Sequence, residues 1–110
     1  GDLLAGNDSV NAWRNAMCGH AACNILPVVT SNRIGREYMT EGRKSYLDFY
    51  GSSFIADHEG QVVEQAGRNQ EEVLVHRFDF QKVKEYRDSW AVFRDRRPDL
   101  YGALTTLDGG

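Results

Sequence analysis

Cys18 and Cys23, with His20 between them, are by type the residues of this chain best suited to chemistry. A nucleophilic cysteine works as the thiolate, so it needs a lowered pKa and a base beside it, usually at a helix N-terminus or a sharp turn. Both cysteines fall inside a run with helical spacing. Five residues apart at ~100° per residue puts them roughly 140° apart around the axis, so they neither share a metal ion nor form a local disulfide. A mid-helix position supplies neither the dipole nor the base, and both cysteines read as structural. His20 shares a helix face with Asn24, one turn on. A metal would need a third ligand, and no Cys-x-x-Cys or His-Glu-x-x-His spacing is present. His20 therefore reads as a buried, hydrogen-bonded histidine. His58 lies in an expected turn and His76 in an expected strand, both at exposed or edge positions. Gly51-Ser52-Ser53-Phe54-Ile55 lacks the second glycine of a nucleophile elbow, and Gly35-Arg36-Glu37 is not a phosphate loop. Residue types and spacing thus identify no catalytic residue, no metal ligands and no cofactor motif.

The elements that would carry these residues can be read from periodicity. Ser9 or Asp8 can cap a helix running to about Ile25, with Val10, Trp13, Met17, Ala21 and Asn24 on one face. Pro27 ends it. Residues 27–32 read as a short buried strand, and residues 35–48, polar and without period, as a long loop. Phe49 to Ala56 reads as a second strand. Asp57-His58-Glu59-Gly60 reads as a turn and residues 61–65 as the returning strand. Glu72 to Phe78 alternates and reads as a fourth strand. Asp79 caps a second helix from Phe80 to about Arg94, with Val83, Tyr86, Trp90 and Phe93 as its stripe, halted by Pro98. The tail from Tyr101 reads as an extended arm, and residues 2–8 as a loop. The fold class is α/β in the broad α+β sense, with two main helices and about four strands.

Composition bounds the function. A length of 110 residues is one domain's worth. The chain is 41% hydrophobic and 26% charged, ordinary for a soluble globular protein. A net charge of −3 argues against nucleic-acid binding, which needs a net basic face. Lys84, Arg87, Arg94, Arg96 and Arg97 read instead as an ion-pair network. No apolar run approaches the ~20 residues that span a bilayer. Two cysteines suit a reduced, cytoplasmic protein.

Several segments, in order along nearly the whole chain, carry a resemblance. They are Trp13-Arg14, Gly19-His20-Ala21-Ala22, Asn24, Pro27-Val28-Val29 and Ser31-Asn32-Arg33-Ile34-Gly35. They continue with Phe49-Tyr50-Gly51-Ser52-Ser53-Phe54-Ile55-Ala56 and Gly60-Gln61-Val62-Val63. The last are Ser89-Trp90, Val92-Phe93-Arg94-Asp95-Arg96-Arg97-Pro98-Asp99-Leu100-Tyr101 and Leu107-Asp108-Gly109. Together they resemble the carbon–nitrogen hydrolase (nitrilase) superfamily, most nearly the branch acting on N-carbamoyl amines.

The resemblance implies residues 1–110 as the C-terminal part of a carbon–nitrogen hydrolase domain, an α-β-β-α sandwich that is usually dimeric or larger. Such enzymes hydrolyse non-peptide C–N bonds of small amide or carbamoyl substrates with a Glu-Lys-Cys triad and no cofactor. The cysteine attacks the carbamoyl carbon, the glutamate moves protons and the lysine stabilises the tetrahedral intermediate. Ammonia leaves first, and water then releases a carbamate that yields carbon dioxide and an amine. All three triad residues lie upstream of the region represented here, and the Cys-Trp-Asp-type motif that carries the cysteine is absent from this sequence. Neither Cys18 nor Cys23 inherits its role. This chain then contributes scaffold, and alone it is expected to be inactive. Asn32, Glu37 and Tyr50 are the residues that would reach a substrate pocket rim. The bland readings are a strand-end cap for Asn32, a solvated Glu37 and a core Tyr50. A non-catalytic, self-associating interaction module is the alternative, and a half that needs a separate triad-bearing partner is a third.

Overall fold

A computed structural model describes residues 3–4, 7–39, 41–42 and 45–110. Two short strands, β1 (Leu3–Leu4) and β2 (Asn7–Asp8), pair antiparallel where a loop is expected. Helix α1 spans Val10–Asn24. Its entry is held by the Asp8 carboxylate, which accepts the backbone N–H of Val10 at 3.1 Å, while Ser9 makes no side-chain cap. It ends in a left-handed turn at Ile25, φ 51°, so the helix stops two residues ahead of the proline.

Strands β3 (Val28–Thr30), β6 (Phe54–Ala56) and β7 (Val62–Gln65) form an antiparallel sheet in the order β3-β6-β7. Helix α1 lies on it, and the core is that contact. Ala21, Phe54 and Ala56 are fully buried, with Trp13, Met17, Cys18 and Val28 packed around them. The Trp13 ring meets Phe54 edge-on at 5.3 Å, the geometry aromatic quadrupoles favour. The Asp57–Gly60 turn joins β6 to β7 as expected. Asp57 Oδ1 accepts the N–H groups of Glu59 and Gln61, both at 2.9 Å.

The stretch 35–48, expected as a loop, carries two strands, and its residues 40, 43 and 44 lie outside the described residues. Strands β4 (Ile34–Tyr38) and β5 (Tyr46–Tyr50) form a two-stranded antiparallel ribbon with Ile34 opposite Tyr50 and Tyr38 opposite Tyr46. The expected second strand therefore breaks at Gly51–Ser53, β5 belonging to the ribbon and β6 to the sheet. The expected fourth strand is also absent: residues 71–79 have no regular structure, and Val73 and Val75 are 89% and 79% exposed. Without a partner strand, alternation alone cannot satisfy backbone groups.

Helix α2 covers Phe80–Trp90 and stops short of Arg94, because Ala91 turns left-handed at φ 51°. Asp79 caps it, accepting from Gln81 N–H at 3.0 Å and Lys82 N–H at 3.4 Å. The tail forms two turns of 3-10 helix, Pro98–Leu100 and Gly102–Thr105, and is exposed throughout. The Cα radius of gyration is 18.6 Å, against about 13 Å for a compact domain of ~100 residues. The overall class is α+β.

Candidate functional site

The sheet and the ribbon meet at a corner built by Asn32 and Gly51–Ser53. Asn32 N–H donates to Ser53 Oγ at 2.8 Å, and that hydroxyl donates back to Asn32 O at 3.2 Å. The Asn32 carboxamide Nδ2 donates to Gly51 O at 2.9 Å. Gly51 and Ser52 are both left-handed, φ 55° and 58°. Ser52 is buried, with its hydroxyl on Tyr50 O at 2.9 Å and its N–H on Gly67 O at 3.0 Å.

Tyr50 stands at the root of the ribbon, 2% exposed. Its ring lies 5.8 Å from that of Trp13, its hydroxyl is 3.4 Å from Ser9 Oγ, and the Arg68 guanidinium sits 5.6 Å above it. Arg68 is itself held by Asp8 at 3.0 Å. A cavity of about 380 Å³ opens beside Tyr50, lined by Gly35, Arg36, Asp48, Phe49, Arg68 and Asn69. On its wall Arg36 grips Asp48 bidentately, at 2.7 and 3.0 Å. That pairing holds the Asp48 carboxyl below its usual range and pushes the Arg36 guanidinium up.

Strand alternation separates the three residues expected at a rim. Ile34, Arg36 and Tyr38 share one ribbon face with their partners Tyr50, Asp48 and Tyr46; Glu37 shares the other with Leu47. Glu37 is exposed and pairs with Arg33 at 2.8 Å. Asn32 and Tyr50 are neighbours through Gly51, and Glu37 is not beside them.

The nucleophile candidates stay apart. Cys18 packs on the core and Cys23 is exposed. His20 is exposed, correcting the expectation of a buried histidine; the residue bonded to it is Asn24, whose Nδ2 donates to His20 O at 2.9 Å. His58 lies edge-on to Tyr86 at 5.1 Å, and His76 is 3.4 Å from Glu64. Among the described residues no group of three or more His, Cys, Asp or Glu side chains is placed to hold a metal, and no helix is long and apolar enough to cross a membrane.

The expected basic network resolves into local pairs: Lys84–Asp88, Arg94–Asp95 and Arg97–Asp99. Arg87 does something else. Its Nη2 donates to Asn24 O and Ile25 O, both at 3.1 Å, closing the end of α1 from α2. Neither this contact nor the Arg68–Tyr50 stack is visible in spacing. The polar run Gly51-Ser52-Ser53, between two apolar strand segments, was the available signal for the corner.

Comparison with known proteins identifies the setting. An N-carbamoylputrescine amidase of Solanum tuberosum is 53% identical over 105 residues, covering 94% of this chain and 35% of that protein. A citrullinase of Francisella tularensis subsp. tularensis is 45% identical over 98 residues, covering 88% of this chain and 33% of that one. The chain spans about a third of the length of these curated relatives. The crystal structure of a carbon–nitrogen hydrolase from Helicobacter pylori superposes with a TM-score of 0.85 at 33% identity, over 96% of this chain and 38% of that one. The carbon-nitrogen hydrolase family model matches residues 6–88, and the chain belongs to that family.

Proposed function

We propose that these 110 residues are the scaffold part of a carbon–nitrogen hydrolase acting on a small ureido compound of the N-carbamoylputrescine kind. The observation that carries the reading is the 53% identity, sustained along 94% of the chain, to an N-carbamoylputrescine amidase. The citrullinase relative supports the same substrate class, because citrulline and N-carbamoylputrescine both end in a carbamoylated amine. In the complete enzyme a cysteine thiol would form the acyl-enzyme, with ammonia and then carbon dioxide released. The glutamate, lysine and cysteine of that chemistry would come from polypeptide outside this chain, with residues 1–110 as part of one hydrolase domain in the cytoplasm.

Tyr50 would form part of the pocket wall with Asn32 beside it at the ribbon root, and Glu37 would contribute from farther along the ribbon, on its other face. The exposure of Val29, at 71%, and of Leu104 and Leu107 on the tail supports a second element of the reading, self-association through apolar surface. A non-catalytic, self-associating module is the reading that remains if no complement restores activity.

The test is ammonia release from N-carbamoylputrescine. The chain alone is expected to release none. Mixed with the remaining part of an N-carbamoylputrescine amidase, it is expected to restore turnover. Turnover by the chain alone that vanishes in Cys18→Ala or Cys23→Ala would overturn the scaffold reading.

A further inference from the structure

We infer that the β4–β5 ribbon is a strap whose angle, and with it the width of the adjoining cavity, is set by a latch between Asn32 and Ser53. The inference concerns this chain's own geometry and stands whatever the substrate.

The ribbon pairs with itself and is not part of the β3-β6-β7 sheet. Two passages of backbone connect them, residues 31–33 leaving the sheet and residues 51–53 returning. Across this neck runs a backbone bond, Gly51 N–H to Arg33 O at 3.0 Å. Side-chain bonds add to it: Asn32 Nδ2 to Gly51 O, and the reciprocal pair between the Asn32 backbone and Ser53 Oγ. Side-chain bonds of this kind hold one register and one angle, whereas a ladder repeats the same bond at every step.

The return passage bends through two successive left-handed residues. For Ser52 that conformation is strained, because its Cβ crowds the following carbonyl, and its bonds to Gly67 O and Tyr50 O hold it there. Gly51 has no room for a side chain: a Cβ would meet Ile34 Cγ2 at 2.6 Å and Arg68 O at 2.9 Å. The bend is therefore imposed by its surroundings.

The same corner borders both walls of the cavity. One wall is the ribbon, through Gly35, Arg36, Asp48, Phe49 and Tyr50; the other is Arg68 and Asn69. Ser52 bonds to Gly67, directly before that second wall. Rotation of the ribbon about the corner changes the separation of the walls, and the Asn32–Ser53 latch resists that rotation.

Amide hydrogen exchange on the full 110-residue chain tests this. Asn32→Ala and Ser53→Ala are each expected to speed exchange in strands β4 and β5 at least ~10-fold. Amides of β6 and α1 should change less than about twofold, since local opening is separable from global unfolding. The double variant should exchange no faster than the faster single one, because the two residues act as one unit. Nitroxide labels at positions 37 and 69 should give a narrow distance distribution in the parent and a broad one in Ser53→Ala. Ser53→Thr keeps the hydroxyl and should restore the parent's behaviour, which carries the test if Asn32→Ala fails to fold. Exchange that rises equally in ribbon, sheet and α1, or an unchanged distance distribution, would overturn the latch.

Discussion

Gly60 presses against Cys18: a Cβ at position 60 would lie 2.8 Å from the Cys18 carbonyl oxygen and 3.1 Å from the Ala22 Cβ. The β6–β7 turn is thereby docked on the middle of α1, and Cys18 is occupied as backbone support. Gly60 also has φ 80°, a region costly for any residue with a Cβ. Gly60→Ala is expected to destabilise the fold by about 2 kcal/mol, adding left-handed strain to overpacking. Urea denaturation checks it: the midpoint should fall with no change in slope.

The end of α1 depends on a residue of α2. Arg87 Nη2 satisfies the carbonyls of Asn24 and Ile25, which are otherwise left over at a helix C-terminus. Hydrogen bonds to charged groups contribute roughly 1.5–3 kcal/mol net, and the two here share one nitrogen of a half-buried guanidinium. Arg87→Ala should therefore cost about 2 kcal/mol in the same denaturation assay. Arg87→Lys should recover less than half of it, because an ammonium keeps the charge but not the planar fork. Full recovery by lysine would mean that charge at the helix end suffices.

These contacts mark where sequence reasoning stops. The face Trp13, Met17, Ala21 is a 3.6-residue pattern, and it packs on Phe54 and Ala56 as such a stripe should. Asp79 is a cap in sequence and in structure. The ribbon has no such pattern, because its root at Tyr50, not its length, meets the core: it pairs through Arg36–Asp48 and the edge-to-face rings of Tyr38 and Tyr46, 6.1 Å apart. Cross-strand pairs of that kind leave no apolar alternation to read. Residues 72–78 err the other way, having alternation with no neighbouring strand to pair it. The helix ends at Ile25 and Ala91 use left-handed non-glycine residues, which local composition does not announce. At the site, Tyr50 was legible as core and Asn32 as a strand-end cap, while the Arg68 stack depends on a contact across 18 residues of chain.

Acid should loosen the ribbon through one carboxylate. Arg36 holds Asp48 below the ordinary value of 3.8. A carboxyl with a depressed folded pKa contributes fully above its unfolded value and loses that contribution as pH falls through the folded one. The Arg36–Asp48 contribution is thus complete at neutral pH and disappears below about pH 4. Carbon-13 titration of the Asp48 carboxyl should give a midpoint under 3.8, and Arg36→Gln should return it to that value. In Asp48→Asn the ribbon's tyrosine ring shifts should no longer move across this window. A parent Asp48 midpoint at the ordinary value would contradict the bidentate pair.

Removing the tail separates folding from association. Residues 96–110 are exposed throughout, and Leu104 and Leu107 are among the most exposed apolar side chains of the chain. The tail's hydrogen bonds are local: Arg97 pairs with Asp99, Arg97 N–H meets the Tyr101 hydroxyl at 3.1 Å, and Thr105 and Thr106 bond carbonyls three residues back. A segment that buries so little contributes little to stability, so deleting residues 96–110 should change it by less than about 0.5 kcal/mol. The same deletion removes the exposed apolar side chains of Leu100, Tyr101, Leu104 and Leu107. If that surface drives self-association, sedimentation velocity should show the parent forming larger species as concentration rises, with the deleted chain remaining smaller at the same concentrations. A large loss of stability on deletion would show that the tail packs on the body, and identical sedimentation of the two chains would direct the search to the Val29 face of the sheet.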